Sequence, residues 1–161
     1  MLQQTTTPKN VEAEQQLLAS FLADDGTAAF DEAAATLQES DFYDYKNQII
    51  FRCIKSIVQS GDCIDEISIS EELKKNNLMD SIGGIQSMFD SIGKHPTGQR
   101  GYCIDTIKEK SNLRQLIRKF QISVESMQDE SKNSKEISSE VEDLILNLAD
   151  GSNRNKGIDS S

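Results

Sequence analysis

The sequence predicts an all-α protein, a compact helical bundle followed by a long antiparallel helical hairpin. Three observations carry this. Apolar residues recur at steps of three and four, short polar turns separate those runs, and long β-branched alternation is absent. Only two prolines, Pro8 and Pro96, interrupt the 161 residues.

Residues 1–9 read as a disordered lead-in. Asn10 is the expected N-cap of a first helix to about Ala23, turning Val11, Leu17, Leu18, Phe21 and Leu22 toward a core. Glu12 and Glu14 fall in its first turns, where the helix dipole favours carboxylates. A short helix over about 28–37 carries Phe30, Ala34 and Leu37. Asp41 is placed to cap the next helix, where Ile50, Ile54, Ile57 and Val58 form one apolar face and Gly61 is the stop. Ser68 and Glu71 have the spacing of a capping box, and Gly83-Gly84 precedes a short helix with Ile85, Met88, Phe89 and Ile92.

These elements make a globular subdomain over 10–100. From about Tyr102 to Met127 the pattern is one helix, roughly 35–40 Å long at 1.5 Å per residue. Leu113, Ile117, Phe120, Val124 and Met127 form its stripe. Asn133 and Glu136 can cap a second helix with Ile137, Val141, Leu144, Ile145 and Leu148. A short polar connection between facing stripes predicts an antiparallel hairpin over 101–150, with a flexible tail at 151–161. Two helices have one face each to bury against one another, so remaining apolar surface calls for another subunit.

The net charge of −10 disfavours generic nucleic-acid binding. The charge is uneven. Residues 1–93 carry net −10, residues 94–119 net +5 and residues 120–161 net −5. Lys110, Arg114 and Arg118 form a basic stripe within the positive stretch. It reads as a solvated face, as a partner or self-association surface, or, least favoured, as a nucleic-acid contact. The stretch DFYDYKNQIIFRCIKSIV, residues 41–58, interleaves aromatic and basic residues, which suits base stacking or an ordinary core. Phe42 and Phe51 read as core anchors, and Tyr43 and Tyr45 stay open.

No secretory signal or membrane-length apolar run occurs, and Cys53, Cys63 and Cys103 lack metal or redox spacing, so a reduced cytoplasmic setting is expected. GxxxxGK[ST], GxSxG and HExxH are all absent. His95 sits in a turn, and the pairs Asp24-Asp25, Asp65-Glu66 and Glu71-Glu72 read as surface or helix-start carboxylates. No catalytic, cofactor or metal site is predicted.

Five segments in order resemble the N-terminal domain of DnaB-type replicative DNA helicases. They are PKNVEAEQQLLASFL, DFYDYKNQIIFRCI, IDEISISEEL, GGIQSMFDSI and YCIDTIKEKSNLRQLI. Asn47 stands where the family usually has His. The resemblance runs from Pro8 to about Ala149, and SKEISSEVEDLILNLAD resembles the start of the family's connecting region. It implies a helical collar whose hairpins pair between subunits, as a dimer or a trimer of dimers, and which contacts primase or a helicase loader. Full-length members are ATP-dependent DNA helicases; this sequence lacks the Walker motifs of their motor, so no ATPase of its own is expected.

The resulting expectation is an oligomerisation and protein-interaction domain acting in DNA replication. Leu113, Ile117, Phe120, Val124, Ile137, Val141, Leu144 and Leu148 would build the hairpin and its self-association contact, with Lys110, Arg114 and Arg118 as a charged partner face. The alternatives are a stand-alone regulator that co-assembles with a full-length helicase and a single-stranded DNA binding module using Tyr43 and Tyr45.

Overall fold

A computed structural model describes residues 6–96 and 98–156, the last nine of them by backbone alone. Seven α-helices and no strands occur among the described residues. They are α1 (Val11–Ser20), α2 (Gly26–Ala34), α3 (Tyr45–Ser60), α4 (Glu66–Lys75), α5 (Ile85–Ile92), α6 (Arg100–Met127) and α7 (Ser134–Lys156), with a 3-10 turn at Glu39–Asp41 before α3.

Local chemistry sets several helix ends. Asn10 Oδ1 accepts the Ala13 N–H at 2.9 Å and opens α1. Gly61 closes α3 at φ 78°, a left-handed conformation that glycine adopts without strain. Asn133 Oδ1 accepts the Glu136 N–H at 3.0 Å, while Glu136 Oε2 accepts the Asn133 N–H at 3.3 Å.

Two expected caps are displaced. Asp44, not Asp41, opens α3, accepting the Lys46 N–H at 2.8 Å. Asp41 is buried in the 3-10 turn. The capping box at α4 pairs Asp65 with Ser68 instead of Ser68 with Glu71. The Asp65 carboxylate caps the helix one turn earlier, and Ser68 becomes its third residue. The second helix begins at Gly26 and ends at Ala34, so Ala29, Phe30 and Ala33 face inward and Ala34 is exposed. Leu37 is still buried, but beyond the helix.

The chain divides into two units, one ending at Leu113 and one starting at Arg114. The boundary falls inside α6 and not before it, because the first turns of α6 bury Cys103, Ile104, Ile107 and Ser111 in the globular unit. The core of that unit centres on four phenylalanines. Phe51 meets Phe42 at 4.8 Å and Phe30 at 5.3 Å between ring centroids, and Phe21 meets Phe30 edge-on at 5.5 Å. Leu17, Leu18, Ile50, Ile54, Ile69 and Leu73 surround them.

The second unit is the hairpin. Ser126 Oγ near the end of α6 donates to Glu140 Oε2 at 3.4 Å, and Lys132 in the turn pairs with Glu140 at 3.0 Å, so α7 runs back beside α6. Ile137 is buried there, 7% exposed. The backbone of α7 is helical to Lys156, six residues into the expected tail. Residues 1–5 of the expected lead-in and 157–161 of the expected tail lie outside the described residues. No helix among the described residues is long and apolar enough to cross a membrane.

Candidate association surface

An α-helix brings residues three and four apart onto one face. Along α6 this aligns Ile117, Phe120 and Val124, and the structure leaves them 43%, 41% and 52% exposed. With Leu116, Gln121 and Glu125 they line one open groove. Such a surface does no chemistry by itself. It lowers its free energy by leaving water, at roughly 25 cal/mol per Å² of apolar area covered.

The other expected stripe residues divide by position. Leu113 ends the globular unit and is half-buried. Ile137 is consumed inside the hairpin. Val141 and Leu144 are half-buried, and the side chain of Leu148 lies outside the described residues. Ile145 and Leu146 are exposed, as are Ile122 and Met127. Leu116 extends the groove although it breaks the four-three rhythm; its place three residues before Lys119 and four before Phe120 puts it on the edge of the same face.

Of the basic stripe, Lys110 and Arg114 are half-buried and Arg118 is exposed. No ion pair engages Lys110 or Arg118 among the described residues. Arg100 is engaged instead, holding Asp25 at 3.0 Å and Glu32 at 3.1 Å. Burial is the largest single effect and lowers its pKa, but the hydrogen bonds and charges of the two carboxylates together outweigh it and raise the value. Asp25, read from sequence as a surface carboxylate, is therefore the anchor for the start of α6.

Two buried polar nodes escaped sequence reasoning. Glu14 is 1% exposed and accepts the backbone N–H groups of Tyr43 at 2.7 Å and Asp44 at 3.2 Å, together with Asn47 Nδ2 at 3.0 Å. Asp41 accepts the Gln38 N–H and the Ser111 hydroxyl, each at 2.7 Å, and Lys108 Nζ at 3.3 Å. Both tie the loop before α3 to other helices. Periodicity does not reveal them, because a carboxylate in a first turn or a loop has the same local pattern whether it is wet or buried.

Phe42 and Phe51 are core residues. Tyr43 and Tyr45 are exposed, and Lys9 Nζ lies 4.6 Å from the Tyr43 ring centroid. His95 is exposed in its turn, and no group of three or more metal-ligating side chains occurs among the described residues. Burial pushes the Cys53 thiol up to about 11, with a smaller push from Glu72, and burial also raises Cys103.

The described residues thus form an all-helical globular unit and a helical hairpin. The crystal structure of the N-terminal domain of DnaB helicase from Mycobacterium tuberculosis matches with a TM-score of 0.75 at 24% identity, over 86% of this chain and 99% of that one. The chain belongs to the DnaB-like helicase N terminal domain family, whose pattern matches residues 6–109. It is similar to the replicative DNA helicase DnaC of Bacillus subtilis (strain 168), 27% identical over 154 residues, 95% of this chain and 34% of that protein. It is also similar to the replicative DNA helicase DnaB of Geobacillus stearothermophilus, 31% identical over 112 residues, 69% of this chain and 24% of that protein. The chain thus spans about a third or less of these curated relatives.

Proposed function

We propose that this chain is an oligomerisation and protein-contact module of a replicative helicase assembly, acting in DNA replication by binding and without an ATPase of its own. The observation that supports this best is the solvent-facing Ile117–Phe120–Val124 groove on α6. Apolar side chains aligned along a helix in the second unit call for a covering helix, and the hairpin of a second copy supplies one. The family membership supports the replication setting.

Covering a Phe or Leu side chain stabilises by roughly 1.5–3 kcal/mol. Sedimentation equilibrium of the chain at micromolar concentrations should therefore give a dimer. Phe120→Ala should weaken it by about tenfold or more, and leave the far-ultraviolet circular dichroism unchanged, because Phe120 is 41% exposed within the single chain. A wild-type monomer at high micromolar concentration sinks the reading.

The same face would serve co-assembly with a full-length helicase through its matching N-terminal domain. Primase or a helicase loader is the further partner, with the Lys110–Arg114–Arg118 side of α6 as its contact. Mixing the chain with a complete helicase and following ring size by light scattering tests the first of these. Tyr43 and Tyr45 are exposed, but the half-buried Asp44 lies between them in sequence, which disfavours a phosphate backbone there.

A further inference from the structure

We draw no further inference here: the strongest candidate, the groove between α3 and α4 that Asp62, Asp65, Glu71 and Glu72 line together with the exposed Ile67, is a cluster of carboxylates around one apolar side chain, and nothing in the structure shows what covers it.

Discussion

Burying a carboxyl group costs several kcal/mol unless its oxygens find donors. Glu14 meets that demand with the Tyr43 and Asp44 N–H groups and the Asn47 amide, so one side chain of α1 ties down the entry to α3. Asn47 is fully buried, and its Oδ1 has no hydrogen-bond partner among the described residues. Asn47→Asp puts a second carboxyl about 3.0 Å from the first. Two carboxylates that close cannot both ionise cheaply, so the variant should lose about 3 kcal/mol or more at pH 7, read from urea unfolding. The loss should shrink on acidification, because protonating one carboxyl removes the repulsion. The thiols give a second residue-level prediction. Cys63 is exposed, while Cys53 and Cys103 are buried and hold their protons more tightly than free thiols. A thiol reagent at pH 8 should modify Cys63 rapidly, and the other two only as fast as the chain opens. Above the usual thiol value of 9.0 the unfolded chain releases the Cys53 proton and the folded chain keeps it, up to about 11. Stability should therefore fall as pH climbs between those values, measured by chemical denaturation across that range.

Helix boundaries show how side chains of one or two residues decide an element. The stop of α3 at Gly61 needs φ 78°, and a Cβ there would meet nothing within 4 Å. Gly61→Ala should then cost only the conformational penalty, about 1 kcal/mol, seen as a lower urea midpoint with an unchanged slope. The same logic separates right from wrong sequence readings. Asn10, Gly61 and the Asn133–Glu136 pair each sit where their local pattern put them. Asp41 and Asp44 both precede α3, and Asp65 and Ser68 both stand at the start of α4. At α3 the choice depends on which acceptor is drawn into the core. Asp41 is recruited by Ser111 and Lys108, nearly seventy residues away, which leaves Asp44 to cap. No local window contains that information.

At the scale of the whole molecule, the globular unit buries an aromatic core, while the hairpin leaves much of its apolar stripe exposed. Phe21, Phe30, Phe42 and Phe51 are all buried, whereas Ile117, Phe120 and Val124 remain open to solvent. The open Ile117, Phe120 and Val124 side chains all lie in the second unit. The charge pattern belongs to this scale as well. Its sign changes along the chain, from net −10 over residues 1–93 to net +5 over 94–119 and net −5 over 120–161, so association between oppositely charged stretches should weaken with salt. The all-helical class, the order of the elements, the four-three stripe of α6 and the family signature were already present in the sequence, because helical periodicity and capping residues act over a few neighbours. Which stripe residues fold inward, as Ile137 does, and which stay open, as Phe120 does, was decided by tertiary structure alone. So was the burial of Glu14, Asp41 and Asn47, because whether a side chain is wet depends on what the rest of the chain lays over it.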